Sequence, residues 1–345
     1  MAFASCALFP CALRWGRAEA ARSNSLSQRQ ALLERALSNR TLENRDLATE
    51  LRRLKDSTLA AIDGWRSTPR PPRAVMTGLL FDSRLPASFD NGDRRLKTVA
   101  LTFDADAHAN AAEEILDTLA SRGVHATIFL GGQFILRHPE LVRKIVAQGH
   151  DVGNHLYSHP HLTSWEQDGL STTLPSVSRA TLFAELGRTE RAFGTVTGRE
   201  MPPIWRAPYG ERNRQVCVWG QEAGYLHVGW RQGRTWRQGL DSNDWVPDEN
   251  DPRYHSPEEV LRKIIEAAQQ QPAGISGGII LMHLGTLRPR RSQQVHLVLG
   301  RLIDHLRGLG YEFVTVTRMA QESGVDLTLL RRTDQAVSQA ATPQK

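Results

Sequence analysis

From about residue 97 the chain alternates short runs of β-branched residues with amphipathic stretches, and the alternation continues for about 220 residues. Such alternation predicts parallel strands joined by crossover helices, because parallel neighbours need a long connection. An open doubly wound sheet is the competing architecture, but no glycine-rich phosphate loop follows the first predicted strand. We therefore expect an α/β fold, a distorted (β/α) barrel of about seven parallel strands.

The predicted elements follow one another in regular order. Strands are expected at 98–103, 126–130, 151–152, 204–206, 226–230, 278–282 and 312–316. Helices are expected at 111–122, 139–148, 179–193, 214–223, 257–270 and 293–309. The chain has 345 residues, of which 40% are hydrophobic and 23% charged, and this composition is sufficient for a sizeable core.

Polar motifs follow the predicted strands at the ends where the chain enters its βα loops. They are Asp104 with Asp106, His155 with His159, Arg206 with Tyr209, Asp241 with Trp245, and Leu281 with His283. In a parallel barrel these loops converge at the carboxyl ends of the strands. Polar residues at five strand ends therefore predict one shared site.

The histidine pair is the strongest single indication of the site's chemistry. Gly153 and Asn154 before the pair and Pro160 after it are turn formers, so His155 and His159 are expected on a tight loop at a strand end. Two imidazoles and a carboxylate with coordination positions left open are typical of a hydrolytic metal centre.

Five segments of the chain together resemble a known family. Thr-Phe-Asp-Ala-Asp, His-Leu-Tyr-Ser-His-Pro, Arg-Ala-Pro-Tyr-Gly, Asp-Ser-Asn-Asp-Trp and Leu-Met-His occur in the order of the polysaccharide deacetylase family. This is the NodB homology domain, or carbohydrate esterase family four, and the resemblance covers residues 95–320. It implies a distorted (β/α) barrel, a divalent metal that is usually Zn²⁺, with Co²⁺, Ni²⁺ or Mn²⁺ as alternatives, and removal of acetyl groups from N-acetylated sugars.

The resemblance also implies a role for each motif residue. The metal ligands would be Asp106, His155 and His159; the general base Asp104, oriented by Arg206; and the general acid His283. Tyr209 would supply a backbone N–H to the oxyanion, Trp245 and Leu281 would wall the acetyl pocket, and Asp241 would orient either Arg206 or His283. We expect Arg206 to hold the base through a bidentate contact, which a lysine could not make as well.

The first motif departs from the family pattern. The family usually has two adjacent aspartates, whereas Ala105 separates Asp104 from Asp106 here. In a strand these two carboxylates would share one face. Asp104 as base with Asp106 as ligand is the preferred assignment, and Asp104 as ligand is the alternative. Leu284 stands after His283, where the family often has an aspartate.

Several nearby residues are interpreted as structural. Asp244 is taken as a loop-capping residue, because aspartates are common in turns. His108 and His161 flank the metal motifs and are not assigned as ligands. Trp245 suits either the core or stacking on a sugar ring. The insertion at 167–176 is expected to shape one rim of a substrate groove.

The two ends of the chain lie outside the barrel pattern. Residues 1–24 contain a short apolar run that ends near Ala18-Glu-Ala20, which is typical of a targeting signal, although no basic residue precedes the run. Residues 25–73 predict an amphipathic helical region followed by a proline-rich linker, with partner contact as the less favoured role of the helix. Residues 321–345 read as a tail. No segment is predicted to span a membrane.

The formal charge of +6 is mild, and no array of basic residues interleaved with aromatics indicates a nucleic-acid partner. Three cysteines form no disulfide or zinc-ribbon framework. The sequence therefore predicts a metal-dependent deacetylase that acts on an N-acetylated glycan outside the cytoplasm. The alternatives are an O-acetyl esterase or other amidohydrolase on the same scaffold, and a non-catalytic glycan-binding homologue.

Overall fold

The computed structural model describes residues 85–330. The predicted targeting segment at 1–24 and the helical region with its linker at 25–73 lie outside the described residues, as does the tail beyond residue 330.

Parallel β-strands form the centre of the described fold. They are β1 (Ser88–Phe89), β2 (Thr98–Ala105), β3 (Thr127–Leu130), β4 (Asp151–Asn154), β5 (Ile204–Trp205), β6 (Leu226–Val228), β7 (Gly278–His283) and β8 (Glu312–Phe313). Seven of them follow the spatial order β1-β6-β5-β4-β3-β2-β7, and β8 pairs with the beginning of β2. The distorted barrel of about seven parallel strands is thereby confirmed.

The two ends of the strand path meet beyond β1. Asn91 forms an antiparallel bridge to Gly278 at the start of β7, and the Gly92 N–H donates to the Gly277 carbonyl over 2.8 Å. The carbonyl of Leu240, in the loop after β6, also accepts the backbone N–H of Leu281 in β7 over 2.9 Å. The closure is made by loops and single bridges rather than by a full ladder, which accounts for the distortion.

Helices connect the strands along the chain. They are α1 (Ala112–Ser121), α2 (Gly132–Arg137), α3 (Pro139–Ala147), α4 (Trp165–Asp168), α5 (Arg179–Thr197), α6 (Arg214–Glu222), α7 (Pro257–Gln269), α8 (Leu299–Gly308) and α9 (Val316–Glu322). The start of α7 shows how sequence sets a boundary: Ser256 and Glu259 form a reciprocal capping box, and Pro257 occupies the first turn. In the described residues no helix is both long enough and apolar enough to cross a membrane.

Strand β2 is buried along its whole length. It pairs with β7 on one side and with β3 and β8 on the other, so both of its faces and both of its edges are covered. A parallel strand in this position has a nearly continuous apolar sequence, as Val99-Ala-Leu101 and Phe103 show. The exceptions, Thr102 and Asp104, lie on one face and lead to the site.

Some elements differ from the sequence expectation. β1 precedes the predicted barrel boundary at residue 95, and its two residues are too few to give a periodic signal. The predicted helix 293–309 begins with two 3₁₀ turns and becomes α-helical only at Leu299. Leu327 and Leu330, in the predicted tail, pack into the apolar core around β1 and β6.

Candidate active site

Asp104 and Arg206 form a buried ion pair at the carboxyl end of β2. The Arg206 Nη1 atom donates to Asp104 Oδ1 over 2.8 Å and to Thr102 Oγ1 over 2.9 Å. The expected bidentate contact is wrong, because Nε and Nη2 donate instead to the carbonyl oxygens of Val228 and Gly229. Burial alone would raise the pKa of Asp104, but the Arg206 charge, assisted by nearby histidines, lowers it. Asp104 is therefore an ionised, oriented carboxylate.

The histidine pair lies directly after β4. His155 Nδ1 is 3.0 Å from the Arg206 carbonyl oxygen, which can only accept, so Nδ1 is the donor and Nε2 is the nitrogen that faces the site. His155 Nε2 lies 3.7 Å from Asp104 Oδ2, and His159 Nε2 lies 3.6 Å from Asp106 Oδ2. Both distances exceed a hydrogen bond. The two rings meet edge to face with centroids 4.9 Å apart.

The protonation states of the second pair suit coordination. Burial lowers the pKa of His159 to about 4, with the neighbouring His155 contributing, so the ring is neutral at pH 7. Burial would raise the pKa of Asp106, but its electrostatic attraction to the His159 ring in that ring's protonated form and the hydrogen bond from the Ala107 N–H lower the pKa. A neutral imidazole and an ionised carboxylate are the forms that bind metals. Arg137 donates to the Asp106 carbonyl over 2.8 Å and so holds the backbone that carries this carboxylate.

The loop that carries the histidines adopts an unusual backbone conformation. Leu156 and His159 have φ of 60° and 56°, in the left-handed region that side chains other than glycine rarely adopt. Glu185 of α5 stabilises this loop, since its Oε2 accepts the N–H groups of Tyr157 and Ser158 over 2.9 and 2.7 Å. The tight loop predicted from the surrounding turn formers is confirmed.

His283, at the end of β7, is paired with Asp244. Its Nδ1 atom lies 2.7 Å from Asp244 Oδ1, and its backbone N–H donates to Oδ2 over 2.9 Å. Burial is the largest effect and opposes the charged form of His283, but the charge and hydrogen bond of Asp244, together with the charges of Asp104 and Asp241, outweigh burial and raise the pKa to about 9. Asp244 was interpreted as a loop cap, and that interpretation is wrong: its buried carboxylate orients His283 and keeps it protonated at pH 7.

Asp241 lies in the same cavity without contacting His283 directly. Its Oδ1 accepts the Asn243 N–H over 2.8 Å, and its carbonyl accepts the buried Lys263 ammonium over 2.6 Å. Burial raises the pKa of Asp241. The negative charge of Asp241 favours the charged forms of both Arg206 and His283. Asp241 thus acts on His283 only through its charge, whereas Asp244 makes the direct contact.

Tyr209 forms one wall of the site from a strained turn. Its φ is 57°, its ring is half exposed, and it stacks flat on His161 with centroids 4.0 Å apart. His161 Nδ1 lies 2.8 Å from Glu211 Oε1, while Glu211 Oε2 accepts two backbone N–H groups. His161, Glu211 and Glu166 thereby offer three ligand atoms within 4.8 Å of one another.

These residues surround a cavity of about 570 Å³. Its polar lining includes both carboxylates of the first motif, the two histidines after β4, and His283. Leu281 is buried at its base, and three exposed aromatic side chains stand on its walls: Trp165, Tyr209 and Trp245. All the predicted site residues except the buried Arg206 therefore line one cavity, and Arg206 reaches it through Asp104.

Comparisons with known proteins agree with this geometry. Residues 91–228 match the family described as polysaccharide deacetylase. The peptidoglycan-N-acetylglucosamine deacetylase PgdA of Listeria monocytogenes is 28% identical over 230 residues, which are 66% of this chain and 39% of that protein. A chitooligosaccharide deacetylase of Bradyrhizobium sp. is 28% identical over 225 residues, which are 63% of this chain and 87% of that protein.

A solved structure extends the match to the fold. The crystal structure of a peptidoglycan N-acetylglucosamine deacetylase bound to an N-oxidanyl-benzamide superposes with a TM-score of 0.54 and 26% identity, over 69% of this chain and 94% of that one. The chain spans only about two fifths of the length of the Listeria relative. The family resemblance carried by the five motifs is confirmed, and this chain contains a polysaccharide deacetylase domain of carbohydrate esterase family four.

Proposed function

We propose that this chain is a metal-dependent hydrolase that removes acetyl groups from an N-acetylated polysaccharide. The observation that carries the proposal is that one cavity holds an ionised carboxylate beside a protonated histidine. Asp104 is held ionised by Arg206, and His283 is held protonated by Asp244. Amide hydrolysis needs such a pair, because one group must accept a proton from water and another must give one to the departing amine.

The metal would be held by Asp106, His155 and His159. Two atoms bound to one tetrahedral Zn²⁺ at about 2.0–2.1 Å lie roughly 3.3 Å apart, and the 3.6 Å between His159 Nε2 and Asp106 Oδ2 is close to this value. His155 Nε2 lies 3.7 Å from Asp104 Oδ2, the separation on which the alternative assignment of Asp104 as ligand rests. The cluster of His161 with Glu211 fits a metal less well, because the Glu211 oxygens already accept three hydrogen bonds. A bound Zn²⁺, or Co²⁺, Ni²⁺ or Mn²⁺ in its place, supplies Lewis acidity that polarises the acetyl carbonyl and lowers the pKa of water.

The side chains of the cavity would move the protons. Asp104 accepts a proton from the attacking water through the carboxylate oxygen that Arg206 leaves free. His283 gives the proton on Nε2 to the amine nitrogen as the carbon–nitrogen bond breaks, and Asp244 stabilises the cationic ring beforehand. The Tyr209 N–H stabilises the oxyanion, while Trp245 and Leu281 wall the pocket for the acetyl methyl group.

The exposed aromatic side chains favour a glycan substrate. Trp165 and Trp245 are 56% and 39% exposed on the cavity, where flat apolar rings can cover the C–H faces of sugars. The relatives named above act on peptidoglycan and chitooligosaccharides, and these are the substrate classes proposed here. Because such polymers lie outside the cytoplasm, we place the protein there, with residues 1–24 as its targeting segment.

An acetate-release assay tests this function. The full chain, stripped of metal and reloaded with Zn²⁺, is offered N-acetylglucosamine oligomers, peptidoglycan and acetylated xylan. Zinc-dependent acetate release from either of the first two is expected. Release from xylan alone would establish an O-acetyl esterase instead, and zinc binding without release from any of the three would establish a non-catalytic glycan-binding protein.

A further inference from the structure

Arg288 lies outside every motif, yet its side chain is among the largest that are fully buried. Its guanidinium makes four hydrogen bonds, and each goes to a backbone carbonyl oxygen. The acceptors are Asn243 at 3.0 Å, Val246 at 3.0 Å, His255 at 2.9 Å and Gln293 at 2.8 Å. The guanidinium also lies over the Tyr254 ring at 4.3 Å.

Two of these acceptors are the ends of the turn that carries Asp244 and Trp245. Asn243 and Val246 are the ends of a four-residue turn closed by the Val246 N–H donating to the Asn243 carbonyl over 3.2 Å. Asn243 has φ of 51°, so the turn is strained at its first residue. The two inner residues are Asp244, which holds His283, and Trp245, which lines the cavity.

Only an arginine has donors arranged to hold both ends of this turn at once. Its Nη2 atom reaches Asn243 and its Nε atom reaches Val246, while Nη1 ties the turn to His255 and Gln293. A lysine ammonium is a single point of donation and cannot reproduce this planar fork. Burying a charge against carbonyl oxygens alone is unfavourable compared with an apolar residue, so packing does not account for it.

From this geometry we infer that Arg288 is a positioning residue for the Asp244–His283 pair and for Trp245. The inference rests on the proposed function. Arg288 acts at a distance from the reacting atoms, because it holds the turn in place, the turn positions the Asp244 carboxylate, and Asp244 orients the ring of His283. A small movement of the turn would lengthen the 2.7 Å contact on which the general acid depends.

Arg288→Lys tests the inference, with Arg291→Lys as the matched control. Arg291 pairs with Glu114 on the surface of the same segment and lies outside the cavity. We expect Arg288→Lys to lower kcat about 10- to 100-fold while the control remains at the wild-type value. If Arg288→Lys does not fold, Arg288→Gln replaces it, because a neutral amide keeps two N–H donors without a charge to bury. A folded variant with unchanged kcat would overturn the inference.

A double-mutant cycle separates positioning from a general loss of stability. If Arg288 acts through Asp244, then Arg288→Lys should have little further effect on kcat in an Asp244→Asn background. Equal losses in both backgrounds would contradict the inference.

The titration of His283 by NMR gives a readout that needs no turnover, so it stands even if the chain releases no acetate. Besides Asp244, the ring faces Asp104, Asp106, Asp241 and His159, all of which remain in both variants. We expect Arg288→Lys to shift this titration toward that of Asp244→Asn, and an unshifted curve would refute the positioning role.

Discussion

Replacing Asp244 with asparagine should deprotonate His283, the proposed general acid, in a pH-dependent way. Burial lowers the pKa of His283 and remains in the variant, whereas Asp244 contributes most to raising that pKa to about 9, with Asp104 and Asp241 contributing less. The pKa should therefore fall to near the ordinary 6.5. At pH 8 the protonated fraction would drop from about nine tenths to about one thirtieth, roughly 30-fold, whereas at pH 6 it would change less than about twofold.

The measurement is the pH profile of kcat for acetate release. The basic limb should move from about pH 9 to near pH 6.5, since the acid form is lost as pH rises through the His283 pKa. Asp248→Asn is the matched control, because Asp248 is an exposed loop aspartate that only caps Asn250. A pH-independent loss of kcat in Asp244→Asn would refute the reasoning, since it would indicate general damage rather than a changed pKa.

The remaining predictions concern the metal and the substrate. Asp106→Asn should lose bound zinc, measured by elemental analysis, whereas Asp104→Asn should keep zinc and lose turnover; the reverse result would make Asp104 the ligand. His155→Ala should likewise abolish zinc retention, while His283→Ala should retain zinc and slow turnover by roughly 10²- to 10⁴-fold, and equal zinc loss in both would contradict the separate roles. Trp165→Ala should raise KM for sugar oligomers about 3- to 10-fold with kcat nearly unchanged, because a stacking surface is lost.

Leu170→Ala is the control for the tryptophan variant. Leu170 lies five residues after Trp165, in the insertion at 167–176, and is 60% exposed, but it lies outside the cavity lining. An increase in KM of the same size in both variants would show that the segment 165–170 as a whole, rather than the Trp165 ring, affects binding.

The fold and the site's location were predictable because both depend on local patterns. Apolar runs with helical stretches between them specify parallel strands, and chemistry in such folds collects where strands end. His155 and His159 needed only the turn formers around them to be placed correctly. Such local patterns can be read from the sequence without knowing how distant segments pack.

The partners of the catalytic groups were not predictable for the opposite reason. Asp244 reaches His283 across 39 residues of chain through a turn whose path depends on a strained Asn243. Arg206 could donate to Asp104 from two nitrogens, but its Nε and Nη2 atoms donate to nearby backbone carbonyl oxygens instead. Arg288 belongs to no motif, because its role is defined by backbone positions rather than by side-chain identities.

The placement of Asp104 on β2 has a consequence for how the protein fails on heating. The innermost strand of a domain opens only when the whole domain opens, whereas peripheral loops open at lower free energy. Since Asp104 is carried by a strand covered on every side, its carboxylate should remain in place until global unfolding. On heating, the peripheral loops around the cavity should therefore open first, so that substrate affinity is lost before the capacity for the chemical step.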